Sequence, residues 1–245
     1  MNIIKPIKNL EYMFYNCNCL TNINILYNLD TQNFNNFSYM FYKYKSLKDI
    51  SSLREWNISN GKDFSYMFYE CSSLKDISSL EHWNVTNGKD FSYMFYECSS
   101  LKDIKSLEKW NLSNSNNFSY MFYKCKSLKD IPSFREWNVS NCKDFSYMFY
   151  GCSSLEDISS LEHWNISKGN NFEYMFYGCS SLKDISSLEK WNISNEVKLN
   201  EVPSTSDFIL ISYNFSSMFY GCKSLENIKS LENWNVSNSN NFSSS

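Results

Sequence analysis

Seven cysteines recur in one repeated position of the sequence, where thiols could form disulfides, bind a metal or pack as apolar residues. They are Cys17, Cys71, Cys98, Cys125, Cys152, Cys179 and Cys222. Stacked repeats would place the sulfurs about 5 Å apart, close enough for neighbours to bond. However, seven cysteines in one row cannot all pair, and Tyr44 interrupts the row. We therefore predict a buried, reduced, structural row. Since no Cys-x2-Cys pair is present, a metal site is not expected.

Two rows of charged residues are the best candidates for a ligand-binding face. Lys and Asp stand side by side in most repeats, and a row of carboxylates could resemble a glycosidase pair or a calcium site. Every Asp is equivalent to the others, however, so we interpret the rows as an exposed strand face with charge compensation between strands. The candidate residues for protein binding, called the lysine–aspartate face below, are Lys75, Asp76, Lys102, Asp103, Lys129, Asp130, Lys183 and Asp184.

No constellation of residues indicates catalysis. The only histidines, His82 and His163, occupy the same position three repeats apart, or roughly 15 Å by strand stacking, so they cannot act as a pair. Serine is abundant, but no Gly-x-Ser-x-Gly elbow or phosphate-binding glycine loop is present. The sequence therefore predicts a protein that is not an enzyme and that has no cofactor and no metal.

An Asn-x-Ser/Thr tripeptide follows each of the seven tryptophans, as at Asn57 and Asn84. In a eukaryotic secretory protein these asparagines would be glycan acceptors. A glycan on every repeat would obstruct stacking, so we favour a structural role. In that interpretation the asparagine after each Trp lies inside a turn and hydrogen-bonds the backbone.

Charge and hydropathy restrict the partners. The net charge is −3 and the charges are mixed, so no basic surface for nucleic acid or for anionic lipid is expected. No apolar run reaches the roughly 18 residues that a membrane span needs. No continuous apolar segment near the start suggests a secretory signal. We expect protein ligands.

These rows arise because the chain repeats every 27 residues. The repeated Met positions are Met13, Met40, Met67, Met94, Met121, Met148, Met175 and, after a 16-residue insertion, Met218. A fixed period of 20–50 residues marks a repeat array, in which each unit buries its apolar face against its neighbours. An array of near-identical units presents a long surface and few unique pockets.

Residues 64–90 serve as the reference repeat. Phe64, Met67, Phe68 and Cys71 follow i, i+3, i+4, i+7 spacing, which predicts a short helix with Asp63 as its N-cap. Tyrosines 66 and 69 flank this apolar stripe and form a Tyr-rich margin, the second candidate for a binding surface. In the segment from 74 to 80, the apolar residues flank a polar Lys-Asp pair, which predicts a short extended segment with one face buried. The Trp at 83 begins a second inward-facing cluster and a polar turn.

We predict a single solenoid over residues 1–245, with an insertion at 196–213 in the seventh unit and a ninth unit cut short at 245. Pro203 begins a loop within the insertion, and the run from Phe208 to Ser212 predicts an extended segment. An uncovered end coil exposes apolar area and strand edges. The sequence therefore predicts end-to-end self-association or fraying of the last coil.

The phrases Met-Phe-Tyr-Glu-Cys-Ser-Ser-Leu from Met67 and Trp-Asn-Val-Thr-Asn from Trp83 resemble the BspA-like leucine-rich-repeat surface proteins. The segment between Leu74 and Trp83 is one residue longer than that family's pattern, and Asn replaces Asp after Trp. The resemblance implies a leucine-rich-repeat-like α/β solenoid, right-handed and of about eight coils, with one short helix and one short strand segment in each 27-residue coil. It also implies a secreted or cell-surface protein that binds host proteins or matrix. The alternative is an intracellular scaffold or ligand-sensing repeat domain.

Overall fold

The computed structural model is a solenoid with one coil for each repeat. It describes residues 9–20, 22–191, 193, 196–197, 209–210 and 213–234. We number the coils from the first Phe position of each repeat, so that coils 1 to 8 span residues 10–36, 37–63, 64–90, 91–117, 118–144, 145–171, 172–214 and 215–241.

The predicted helix is wrong, because residues 64–71 form successive turns whose backbone pairs with the next coil. The N–H groups of residues 64, 66, 68 and 70 donate to the carbonyls of residues 90, 92, 94 and 96, at 2.7–3.0 Å. The intervening N–H groups of Met67, Tyr69 and Cys71 donate to the carbonyl three residues earlier. The remaining N–H, that of Ser65, donates to the carboxylate of Asp63 at 2.9 Å. Every donor of the segment is therefore satisfied.

Two positions in each turn segment have left-handed backbone. Tyr66 and Glu70 have φ of 58° and 55°, and all eight coils have positive φ at both positions. Such a conformation costs roughly 1–2 kcal/mol for a residue with a Cβ, so glycine is favoured there. Coils 6 to 8 place Gly151, Gly178 and Gly221 at the second position. A glycine at this position adopts the left-handed conformation without that cost.

The segment predicted as a strand instead ends in a short 3₁₀ helix. Eight such helices, three to five residues long, lie in the described part of the chain, and it contains no α-helix. They are Asn24–Asn28, Ser51–Leu53, Ser78–Leu80, Lys105–Leu107, Pro132–Glu136, Ser159–His163, Ser186–Lys190 and Lys229–Leu231. Helices of neighbouring coils lie side by side, so the residues around them form rows along the solenoid axis.

One continuous apolar core runs through the stack, as predicted. In coil 4 the side chains of Phe91, Met94, Phe95, Leu101 and Leu107 have no exposed surface. Burial of each such side chain contributes about 1.5–3 kcal/mol relative to exposure. The tryptophans close the core on one side, and each indole N–H donates to a backbone carbonyl one coil earlier, as from Trp83 to Leu53 at 3.0 Å.

Extended structure is sparse. Single parallel β-bridges connect the residue before a turn segment to the equivalent residue of the next coil, as between residues 63 and 90. In the insertion, β1 (Glu196–Val197) pairs antiparallel with β2 (Ile209–Leu210). Part of the predicted extended run from 208 to 212 is therefore a strand, whereas Pro203 and the rest of the predicted loop lie outside the described residues.

Candidate protein-binding surfaces

The lysine–aspartate face lies on the surface, and its eight side chains are exposed. Its aspartates have a local structural role. The Asp76 carboxylate accepts the N–H of Ser78, the first residue of a 3₁₀ helix, at 2.8 Å. Asp103 and Asp184 make the equivalent contact at 2.7 and 2.8 Å. These carboxylates therefore hold the start of the 3₁₀ helices through an Asx turn.

In the described part of the chain, charge compensation along this face amounts to one ion pair. Lys183 contacts the carboxylate of Glu156, which occupies the Lys position one coil earlier, at 3.2 Å. Both side chains are about half exposed or more, so the pair contributes little to stability. A shallow, polar groove of about 670 Å³ lies between coils 3 and 4, and its lining includes Lys75, Asp76 and Asp103. Nothing in this geometry selects a particular ligand.

The Tyr-rich margin is a more distinctive surface, because its rings stack into two continuous ladders. We call both together the tyrosine surface. The inner ladder contains Tyr12, Tyr39, Tyr66, Tyr93, Tyr120, Tyr147 and Tyr174, and the outer ladder contains Tyr15, Tyr42, Tyr69, Tyr96, Tyr123, Tyr150, Tyr177 and Tyr220. Ring centroids in the inner ladder are 4.4–4.8 Å apart. Those in the outer ladder are 4.3–4.9 Å apart.

The stacking decides what the tyrosine surface offers to a partner. Ring faces are covered by the rings of the neighbouring coils, and hydroxyls of adjacent rings hydrogen-bond one another, as between Tyr66 and Tyr93. Ring edges and the remaining hydrogen-bonding capacity of the hydroxyls are therefore left for a partner. The end rings Tyr15 and Tyr220 are 48% and 45% exposed, and the rings between them are half-buried. Each hydroxyl can both donate and accept a hydrogen bond. The surface is therefore a flat, regular array of neutral polar groups on an aromatic base.

Partial burial favours the protonated form of several hydroxyls in the ladders. It raises the pKa of Tyr39, Tyr66 and Tyr69 from 10.0 to about 12, and the charge of a neighbouring ionised tyrosine adds to the effect. Burial raises the pKa of Tyr96 and Tyr120 as well. At neutral pH these five hydroxyls are thus uncharged hydrogen-bonding groups.

The borders of the tyrosine surface differ along the solenoid. In coils 2 to 5 the position after the outer Tyr is charged, with ion pairs between Lys43 and Glu70 at 3.6 Å and between Lys124 and Glu97 at 3.2 Å. Coils 6 to 8 have glycine at that position, so no side chain flanks the outer ladder there.

The sequence predicts that tyrosines 66 and 69 lie at a margin of the core, but we did not predict that their rings form ladders. The signal for the ladders was the recurrence of Tyr at both positions, broken only at Ser217.

The other candidate residues are the cysteines and the two histidines. The cysteines from Cys71 to Cys179 are buried, which confirms that part of the prediction, whereas Cys17 and Cys222 are half-buried. Outside the row, Cys142 is buried as well. The two histidines are exposed in separate coils, as expected.

The asparagine after Trp83 hydrogen-bonds the backbone as predicted, but it is not the asparagine that links neighbouring coils. Asn84 is exposed, and its side chain accepts the N–H of Thr86 in its own coil at 3.2 Å. The ladder between coils lies three residues later, where Asn87 donates to the carbonyl of Ser59 at 2.8 Å. A backbone carbonyl in the turn of the preceding coil needs a hydrogen-bond donor. The side chain of Asn87 can reach this carbonyl, whereas that of Asn84 cannot.

Among the described residues, no three His, Cys, Asp or Glu side chains converge as metal ligands. No helix found there is long and apolar enough to cross a bilayer.

The sequence profile of the family described as "Mycoplasma protein of unknown function, DUF285" matches residues 8–134, 102–209 and 211–245. No curated protein sequence matches the chain. Similar solved structures include internalin C2 from Listeria monocytogenes, at 12% identity over 82% of this chain and 73% of that chain, with a TM-score of 0.20. They also include the Listeria monocytogenes internalin inlF, at 15% identity over 84% of each chain, with a TM-score of 0.18. These TM-scores are too low to support a conclusion about the fold. The architecture described above is established by the hydrogen bonds within this chain.

Proposed function

The chain belongs to the family described as Mycoplasma protein of unknown function, DUF285, and on this premise we propose that it is a non-enzymatic repeat protein that binds other proteins at the cell surface. The observation that carries the proposal is the tyrosine surface. Fifteen tyrosines lie in two ladders on one face of the solenoid. An exposed aromatic area of this extent is typical of an interaction site.

The physical properties of the ladders suit protein binding. Tyrosine is enriched at protein interfaces because one ring supplies apolar contact and one hydroxyl supplies a hydrogen bond. Here each ring is held between its neighbours, so binding costs little side-chain entropy. The hydroxyls are neutral, so a partner does not need to compensate a charge.

Three further considerations support the proposal. Polar side chains recur in equivalent positions from coil to coil, whereas catalysis needs a unique set of groups. The repeat phrase resembles the BspA-like surface proteins, which implies an adhesin-like role in host interaction. The lysine–aspartate face stays the alternative binding surface, although three of its four aspartates already hold 3₁₀ helices.

A cell-binding assay tests this function. The labelled chain is incubated with cultured mammalian cells, with and without protease treatment of those cells, and binding is measured by flow cytometry. The triple variant Tyr66→Phe, Tyr93→Phe, Tyr120→Phe keeps the ring stacks and removes three hydroxyls. If each hydrogen bond contributes about 0.5–1.5 kcal/mol, binding falls about tenfold or more.

The matched control is the triple variant Lys75→Ala, Lys102→Ala, Lys129→Ala on the lysine–aspartate face, for which we expect unchanged binding. The reverse result would assign binding to that face. If the wild-type chain shows no protease-sensitive binding to cells, the surface role is contradicted.

The second candidate function is an intracellular scaffold, and the cysteine row favours it. Buried thiols that donate hydrogen bonds must stay reduced, and a reducing compartment guarantees this. Protease treatment of intact cells that produce the protein separates the two functions. Digestion of the chain indicates the cell surface, whereas protection indicates the cell interior.

A further inference from the structure

The chain contains only two arginines, Arg54 and Arg135, and only two histidines, His82 and His163. Each pair is separated by 81 residues, which is three coils. The sequence around them repeats at the same interval. Coil 2 (37–63) and coil 5 (118–144) differ at five positions, whereas coil 2 and its neighbour coil 3 differ at seven. Coil 2 therefore resembles coil 5 more than it resembles its neighbour, and the rare side chains recur at this interval of three coils.

The fold builds a similar groove around each arginine. The first groove lies between coils 2 and 3, and its lining includes Arg54, Asp76, Ser78, Ser79 and Glu81, together with Lys48 and Asp49. The second lies between coils 5 and 6, where the lining residues are the equivalent Arg135, Asp157, Ser159, Ser160 and Glu162, together with His163. The grooves are shallow, with volumes of about 380 and 240 Å³. Their walls are polar and their arginines are exposed.

The acidic groups of each groove already have partners in the chain. Glu81 contacts Lys109 at 3.2 Å, and Glu162 contacts Lys190 in the same way. The charges of Arg54 and His82 further lower the pKa of Glu81, after the larger effect of Lys109, so these groups lie near one another. Asp157 accepts the N–H of Ser159 at 2.7 Å. By contrast, Arg54 makes only a loose contact with the adjacent Glu55, at 3.9 Å between two exposed side chains.

Arginine recognises carboxylates through two parallel hydrogen bonds, and it is enriched among the residues that dominate interfaces. Neighbouring coils are about 4.8 Å apart along the solenoid axis. Since the two grooves are three coils apart, the distance between them along this axis is about 14 Å. An extended peptide rises about 3.4 Å per residue. Four residues of such a peptide therefore span the two arginines.

We propose that the two grooves form one bivalent site for an extended acidic peptide segment, in which carboxylates four residues apart bind Arg54 and Arg135. This site is separate from the tyrosine surface and does not depend on the function proposed for it. A partner with a single carboxylate engages one groove, whereas correctly spaced carboxylates engage both. The second contact is then intramolecular and strengthens binding without any new type of interaction.

Because the chain has two arginines, its NMR spectrum contains two arginine Nε–H signals, which report the two grooves separately. The probes are capped synthetic peptides, Glu-Ser-Ser-Ser-Glu, Glu-Ser-Glu and a serine peptide with a single Glu. We expect the first peptide to shift both signals with a common midpoint and to bind at least about tenfold more tightly than the other two.

The variants Arg54→Ala and Arg135→Ala should each reduce the affinity for Glu-Ser-Ser-Ser-Glu to that of the single-Glu peptide. The control Lys89→Ala removes an exposed cation from the intervening coil 3, outside both grooves and both candidate surfaces. Screening at 0.15 M ionic strength should limit its effect to about twofold. Equal affinity for the two spacings, a shift of only one signal, or equal shifts with inorganic phosphate alone would each overturn the bivalent site.

Discussion

The thiol of Cys125 donates a hydrogen bond to the backbone carbonyl of Phe95, one coil earlier, at 3.2 Å. The same bond links Cys98 to Phe68 and Cys152 to Phe122, at 3.2 and 3.1 Å. Burial raises the pKa of the Cys125 thiol well above its usual value, so it stays a protonated donor. The cysteine row therefore tethers successive coils through hydrogen bonds.

We expect native alkylation to distinguish the cysteines by position. Iodoacetamide at neutral pH should modify the exposed Cys19 first, and it should leave Cys125 unmodified because the reactive thiolate is neither accessible nor formed. Peptide mass mapping measures the extent at each site. In denaturant without reductant, all nine cysteines should react. Rapid native labelling of Cys125 would contradict its burial, and three or fewer reactive thiols in denaturant would indicate disulfides.

Leu101→Ala should lower the free energy of unfolding by about 2–5 kcal/mol, because Leu101 is fully buried in coil 4 and its loss leaves a cavity. Lys102→Ala, on the exposed side of the same segment, should change it by no more than about 0.5 kcal/mol. Urea denaturation followed by circular dichroism measures both values. Equal effects of the two substitutions would contradict the burial of the Leu101 side chain in the core.

Asp76→Ala should destabilise the protein by about 0.5–2 kcal/mol, the usual cost of losing a side chain that caps a backbone N–H. Asp130 provides the matched control, since the residue two positions later is Pro132, which has no N–H to cap. Thermal melts of Asp76→Ala and Asp130→Ala compare the two directly. A similar loss of stability in both variants would show that the aspartates act through charge and not through the Asx turn.

The tyrosine surface predicts loss of stability at high pH. The folded protein raises the pKa of Tyr66 and Tyr69 from 10.0 to about 12, so the folded state binds protons more tightly than the unfolded state. Their contribution is fully present below pH 10 and disappears progressively as the pH rises toward 12. Tyrosinate absorbance and circular dichroism should therefore change together in that interval. Independent titration of the tyrosines in a chain that stays folded would contradict the burial.

Much of the architecture follows from spacing alone. The 27-residue period, the inward positions of Phe, Met, Leu and Trp, and the burial of most of the cysteine row could be predicted because each is a periodic property of apolar residues. The Gly151 position could also be identified as a turn, since only glycine adopts left-handed backbone at little cost. The tyrosines were placed at a margin from the same periodicity.

The backbone conformation of the coil was decided only by the tertiary structure. Phe64, Met67, Phe68 and Cys71 have helical spacing, but a series of turns places the same residues inward. The choice depends on where the N–H groups donate. Half of them, including those of Phe64 and Phe68, reach carbonyls of the next coil, and those acceptors exist only once coils have stacked. The ladders of tyrosine rings and the paired grooves at Arg54 and Arg135 have the same origin, since each needs residues from more than one coil.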